Sequence, residues 1–115
     1  MARTYDRQQA CPIARSLDMV GDRWTLLVIR DLRRGQSKFA DLLVSLQGIS
    51  PTVLSERLQS LEQDEIVARR FYSDHPPRAE YVLTAKGDAL APVLQAFYAW
   101  GAEHAPRPPR GGAKA

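Results

Sequence analysis

The chain has 115 residues, which suits one domain with a modest core. Its hydrophobic share of 44% excludes wholesale disorder, and a net charge of +3 with a pI near 9.4 is compatible with a polyanionic partner without demanding one. No apolar run is long enough to cross a membrane, Met1–Asp6 lacks the apolar core of a secretion signal, and the single cysteine, Cys11, excludes an internal disulfide framework.

Together these features predict a protein of the reducing cytoplasm. The chemistry of catalysis is missing as well. There is no Gly-rich phosphate loop and no Ser/His/Asp grouping. His75 and His104 stand apart, without metal-ligand spacing. The expectation is a non-enzyme with no metal and no cofactor.

Residues 1–10 read as an N-terminal arm. A first helix is predicted from Pro12, because proline costs nothing in the first helical turn, with Ile13, Leu17 and Val20 as its apolar stripe. Gly21-Asp22 breaks it. A second helix is predicted over Arg23–Arg33, where Trp24, Leu27, Val28 and Leu32 recur at helical spacing, and Gly35 ends it. A third follows Ser37, a good N-cap, burying Phe39, Leu42, Leu43 and Leu46. Gln47-Gly48-Ile49 separates it from a fourth, which Ser50 caps and Pro51 opens.

The pattern then changes to β-branched and aromatic residues over Val67–Tyr72 and again over Ala79–Leu83. These predict a hairpin whose tip runs from Ser73 to Arg78. Thr84 caps a last helical region reaching Glu103. Pro92 lies within it and predicts a break near Leu90-Ala91. Residues 105–115, rich in Pro, Arg, Gly and Ala, read as a flexible tail. Helices followed by a small β-hairpin make a mainly α, α+β chain with the layout of a winged helix-turn-helix domain over residues 11–104.

The fourth helix, about residues 50–64, carries the functional pattern. Leu54, Leu58 and Leu61 cluster on one side. Thr52, Glu56, Gln59 and Gln63 lie opposite, flanked by Ser55 and Ser60. Such a polar face can meet base edges in a major groove. The N–H groups at Ser50–Val53 favour a phosphate. Most amphipathic surface helices look like this, so the surrounding order of elements carries the reading. Candidate DNA contacts are Lys38, Ser50, Pro51, Thr52, Ser55, Glu56, Arg57, Gln59, and, at the wing, His75 and Arg78. Arg69 and Arg70 are set aside because strand arginines can pair with acidic groups. The acidic end, Glu62 to Glu65, should face away from the phosphates.

Taken in order, these residues resemble the HxlR-type, MarR-like winged-helix regulators. The resemblance rests on Cys11-Pro12-Ile13, Gly21-Asp22-Arg23-Trp24-Thr25-Leu26-Leu27, Phe39-Ala40-Asp41-Leu42, the run Ile49–Leu58, Tyr81-Val82-Leu83-Thr84-Ala85-Lys86-Gly87 and Trp100-Gly101. It covers about Cys11 to His104. It implies a homodimer on double-stranded DNA, repressing or activating nearby genes, that dimerises through the first helix and the C-terminal helices. Here those surfaces carry Ile13, Leu17, Leu94, Phe97, Tyr98 and Trp100, which would otherwise read as core. A two-fold dimer implies a pseudo-palindromic operator with recognition helices roughly 34–36 Å apart. One departure stands out. The family usually has glycine after the aspartate that ends the recognition helix, and here Asp64 is followed by Glu65, which puts the wing angle in question.

Cys11 precedes Pro12 at a helix N-terminus, an end that favours negative charge, with Arg15 near in sequence. By resemblance it is a redox or electrophile sensor, forming an intersubunit disulfide or an adduct. Against that stands a small buried apolar cysteine. A third reading is a small-molecule effector between the dimerisation helices and the core, lined by Trp24, Phe97, Tyr98 and Trp100. A winged-helix module that binds another protein is the remaining alternative to DNA.

Overall fold

Proline opens three of the helices, and each time its missing N–H falls where the helix has no use for one. In the computed structural model, which describes residues 5–74 and 77–108, α1 spans Pro12–Val20, α4 spans Pro51–Gln63 and α6 spans Ala91–His104. Between them lie α2 (Thr25–Arg33), α3 (Phe39–Ser45) and the short α5 (Ala85–Asp88). Strands β1 (Val67–Asp74) and β2 (Pro77–Leu83) pair antiparallel and form the single two-stranded sheet among the described residues. The expected break is present, with Leu90 as the N-cap residue of α6.

Three boundaries depart from the sequence reading, each for a local reason. Helix α2 starts at Thr25, not Arg23. The Asp22 carboxylate accepts the backbone N–H groups of Trp24 (3.0 Å) and Thr25 (3.2 Å) and bonds the Thr25 hydroxyl, so Asp22 satisfies the first turn. Ser37 does not cap α3. Lys38 takes the N-cap position, and Ser37 instead donates its hydroxyl to Glu80 Oε1 (3.0 Å) while its carbonyl accepts Tyr81 N–H (2.7 Å). The Ser37 side chain is thus turned toward β2 and not toward the first turn of α3. The hairpin is longer than expected. Ser73 pairs with Arg78 and Asp74 with Pro77, with a register shift between Phe71 and Ser73. The stretch read as a tip is therefore mostly strand.

The core collects the buried faces of the middle helices. Val28 and Ile29 from α2, Leu42 and Leu46 from the α3 end, and Leu54, Leu58 and Leu61 from α4 pack with Ile49, Ile66 and Val67. Phe39 and Leu43 pack against this cluster. The exit from α4 is a Schellman turn: Glu65 N–H bonds Glu62 O (3.0 Å) and Ile66 N–H bonds Leu61 O (2.9 Å). Glu65 takes the left-handed conformation (φ 60°) that glycine adopts without strain. So the departure at this position leaves the turn intact, at a cost of about 1–2 kcal/mol. Helix α5 then packs on the exit, held by Thr84, whose hydroxyl accepts Gly87 N–H (3.1 Å) and bonds Glu65 O (2.6 Å).

The outer helices behave differently. In α1 the buried residues are Ala14 and Val20, whereas Ile13 and Leu17 lie outside the core. Helix α6 buries no residue, and only Leu94 leans on the core cluster. The arm before α1 is ordered over its described residues. Tyr5 N–H and the Gln9 amide both bond the Asp18 carboxylate (3.1 and 2.9 Å). The tail residues 109–115 lie outside the described part of the chain.

Candidate nucleic-acid interface

Helix α4 presents the expected polar face. Ser50 has extended backbone angles, and its hydroxyl accepts Val53 N–H at 3.1 Å. Because Leu54, Leu58 and Leu61 are spaced three and four apart, burying them turns Pro51, Thr52, Ser55, Glu56 and Gln59 outward. The N-terminal turn of α4 therefore combines unsatisfied N–H groups with short polar side chains, an arrangement suited to a groove edge and its phosphates.

Arg57 departs from this group. Its side chain is mostly covered, and its guanidinium points to Asp22 (Nη1–Oδ2 3.7 Å), at the start of α2. Its Nε has no partner and is buried. The wheel position that flanks the polar face also flanks the core, and Asp22 supplies the countercharge that draws Arg57 inward. Its orientation ties α4 to the segment before α2, which the spacing of residues did not suggest.

The wing sorts its cations in the way suggested for strand arginines. Arg69 pairs with Glu62 (3.0 Å), and Arg70 pairs with Glu80 (2.6 Å). The Arg70 hydrogen bonds and the Ser37 hydroxyl hold the Glu80 carboxyl below its ordinary range. Next to it, burial pushes the Tyr81 phenol up. Arg78 is exposed, and Lys38 sits 5.1 Å from the centre of the Tyr72 ring. The two positions thus lie at the start of α3 and on β2, flanking the wing. His75 lies outside the described residues. The acidic end of α4 is partly neutralised, since Arg69 covers Glu62.

The sequence reading missed Phe71 and Tyr72, exposed by 55% and 48% on the wing. Both sit where the register shifts, so strict alternation could not assign their sides.

Exposed apolar residues lie on α1 and α6. Ile13 is 71% exposed, Phe97 58%, Tyr98 76% and Trp100 61%. Leu17 is half-exposed, whereas Leu94 points inward. The aromatic residues of α6 are therefore not core. Cys11, at the N-cap of α1, is half-buried and free. The Arg15 Nη1 donates to Gln9 O at 2.5 Å. Among the described residues there is no group of His, Cys, Asp and Glu able to hold a metal ion, and no helix long and apolar enough to cross a membrane.

With this geometry the comparisons are consistent. Residues 19–108 match the HxlR-like helix-turn-helix family. The HTH-type transcriptional regulator sll1512 of Synechocystis sp. is 38% identical over 99 residues, covering 86% of this chain and 73% of that protein. YodB of Bacillus subtilis, also an HTH-type transcriptional regulator, is 40% identical over 91 residues, 78% of this chain and 81% of its own. The reduced form of YodB superposes with a TM-score of 0.71 at 37% identity, covering 84% of this chain and 95% of that one. The redox regulator HypR in its reduced form gives 0.78 at 29% identity, with the same coverage. Both relatives have also been solved altered: YodB after diamide and HypR oxidised. The winged fold, the order of its motifs and these likenesses make the chain a member of the HxlR-like helix-turn-helix family of transcriptional regulators.

Proposed function

We propose that the protein regulates transcription as a homodimer on a pseudo-palindromic operator, with the N-terminal half of α4 in the major groove and the wing on the adjacent backbone. The observation that carries this reading is the face of α4. Thr52, Ser55, Glu56 and Gln59 are exposed on the side opposite Leu54, Leu58 and Leu61, beginning at a capped N-terminus. Lys38 and Arg78 contact phosphates and fix the register. Arg57 acts indirectly, holding α4 to Asp22. The exposed apolar residues Ile13 and Leu17 of α1 and Phe97, Tyr98 and Trp100 of α6 form the dimer contact, because several large apolar side chains left in water are costly for a monomer.

Selection of bound DNA from a random pool tests this. A two-fold symmetric site is expected. Thr52→Ala or Ser55→Ala should relax base preference, while Lys38→Ala or Arg78→Ala should weaken binding to every sequence and flatten its salt dependence. Selection of no sequence, with undiminished binding to a protein partner, would point instead to an interaction module.

A second reading concerns Cys11, and its partial exposure at the N-cap of α1 favours it. YodB and HypR are solved in reduced and in diamide-treated or oxidised forms. Two Cys11 thiols from two protomers would join as a disulfide, giving two protons and two electrons to the oxidant, which diamide accepts to become a hydrazine. Operator binding by wild type and Cys11→Ser, with and without diamide, decides. A response to diamide that the substitution leaves intact rules Cys11 out.

A further inference from the structure

The wing exposes two aromatic side chains, and each has a cation over its ring. The Arg69 guanidinium lies 5.8 Å from the centre of the Phe71 ring, and the Lys38 ammonium lies 5.1 Å from that of Tyr72. The two pairs differ in what is left of the charge. Arg69 is also bound to Glu62 at 3.0 Å, so its charge is met from within the chain. Lys38 has no ion-pair partner among the described residues, and the ring is its contact. The near carboxylate, Glu80, is taken by two nitrogens of Arg70 (3.0 and 2.6 Å) and by the Ser37 hydroxyl (3.0 Å). Lys38 acts on it through its charge, without an ion pair.

Both ends of the contact are held by the fold. Lys38 follows Ser37, whose hydroxyl and carbonyl are bonded to β2, and its own carbonyl accepts Leu42 N–H at 3.0 Å. Its backbone is thereby fixed between the wing and α3. Tyr72 stands where the register of β1 shifts. Phe71 pairs with Ala79 and Ser73 with Arg78, which leaves Tyr72 as the extra residue of a bulge. A bulge re-aims a side chain, and here the Tyr72 ring comes to the Lys38 ammonium. A ring face restrains an ammonium without neutralising it and covers one side of it, so the remaining N–H donors stay open to a phosphate.

We infer that Tyr72 is a positioning residue for DNA binding, whose ring holds the Lys38 ammonium, still charged, where the wing meets a phosphate. The inference rests on Lys38 being a phosphate contact. A long, free lysine loses rotamer freedom when it binds, and that loss weakens binding. With the ring in place, Lys38 is ordered beforehand. The bulge of β1 thus serves the grip on the backbone from α3, and not only the shape of the wing.

Binding of the full chain to a poly(dI-dC) duplex, followed by fluorescence anisotropy at several salt concentrations, tests this. Lys38→Ala should reduce the slope of log affinity against log salt by about 0.9, the loss of one phosphate contact. Tyr72→Leu should weaken binding by about two- to fivefold, the range of an exposed cation–π contact. Tyr72→Phe keeps the ring and should bind like wild type. In a Lys38→Ala background, Tyr72→Leu should change nothing further. Tyr72→Thr repeats the loss with a strand-forming side chain, so a folding defect in one variant leaves the test standing. Wild-type affinity in Tyr72→Leu or Tyr72→Thr overturns the inference, as does a Tyr72→Phe variant as weak as Tyr72→Leu. An equal loss with and without Lys38 also overturns it, since the ring would then touch DNA itself. If Lys38→Ala keeps the wild-type slope, the phosphate contact itself is wrong and the inference falls with it. A loss at Lys38 without one at Tyr72 overturns the inference alone.

Discussion

Helices α4 and α6 both carry large apolar side chains and both are opened by proline, yet they end in opposite situations. Helix α4 finds its apolar partners within the chain, and Leu54, Leu58 and Leu61 are buried completely or nearly so. Helix α6 buries nothing, and its Phe97, Tyr98 and Trp100 remain in solvent. Apolar side chains on a helix therefore serve two ends: those of α4 complete a domain, and those of α6 remain outside it. A stripe shows that a helix has an apolar side. Where that side goes depends on which other elements reach it.

The sharpest way to break the contrast is to remove one large side chain from each helix. Leu58→Ala should cost about 2–5 kcal/mol of unfolding free energy, measured by urea denaturation, because it opens a cavity among Val28, Leu42 and Leu54. Phe97→Ala should hardly change the unfolding of dilute protein. It should instead lower the association measured by sedimentation, and with it the dependence of stability on protein concentration. Equal losses of dilute-protein stability in the two variants would mean that α6 is core after all.

The two glycines of these regions repeat the contrast on a smaller scale. A Cβ on Gly87 would strike Ile66 O and lie 2.9 Å from Leu83 Cδ2, so α5 closes on the α4 exit only because no side chain intervenes. Gly87→Ala should cost about 1–3 kcal/mol, the range of overpacking. A Cβ on Gly101 would meet nothing within 4 Å. In dilute protein, Gly101→Ala should raise stability by about 0.5–1 kcal/mol, since glycine weakens a helix. A gain that vanishes as the protein concentration rises would show that another surface packs against Gly101.

Much of this was legible before any coordinates, and the parts that were not share a cause. The starts of α1, α4 and α6 were readable because proline and Ser50 act within one turn of themselves. The leucines of α4 were readable because a regular period needs no knowledge of neighbours. The second bonding choice of Ser37, the inward turn of Arg57 and the burial of Asp31 depend on residues far along the chain or on another element, and no local pattern carries that information. The stripe of α1 has the same limit: Ile13 and Leu17 have helical spacing, but spacing alone does not say whether another part of the chain covers them, and among the described residues none does.

The exit of α4 offers a test of modest size. Glu65 holds a positive φ of 60°, and the Schellman bonds keep it there. Glu65→Gly should therefore stabilise the protein by up to about 1–2 kcal/mol, less the extra freedom glycine gives the unfolded chain. A loss on substitution would mean that the Glu65 side chain contributes more than its backbone costs. Because the wing starts directly after this turn, operator affinity should be followed alongside stability. An unchanged affinity would show that the left-handed turn alone, and not the residue in it, sets the wing.

The smallest expected effect lies where the wing meets α3. Glu80 accepts hydrogen bonds from Arg70 and Ser37, which lower its pKa in the folded state relative to the unfolded chain. A depressed acid stabilises the fold only while it is ionised. Its contribution is therefore fully present above the unfolded value and is lost as pH falls through the folded one. Arg70 is exposed and Glu80 partly so, and pairs at such a surface are screened and weak. Stability followed from neutral pH into the acid range should fall slightly more for wild type than for Glu80→Gln, whose amide does not titrate. High salt should narrow the difference, because it screens the pair with Arg70. If the two acid limbs run parallel at low salt, Glu80 joins β2 to Ser37 through hydrogen-bond geometry alone, and the wing owes nothing there to charge.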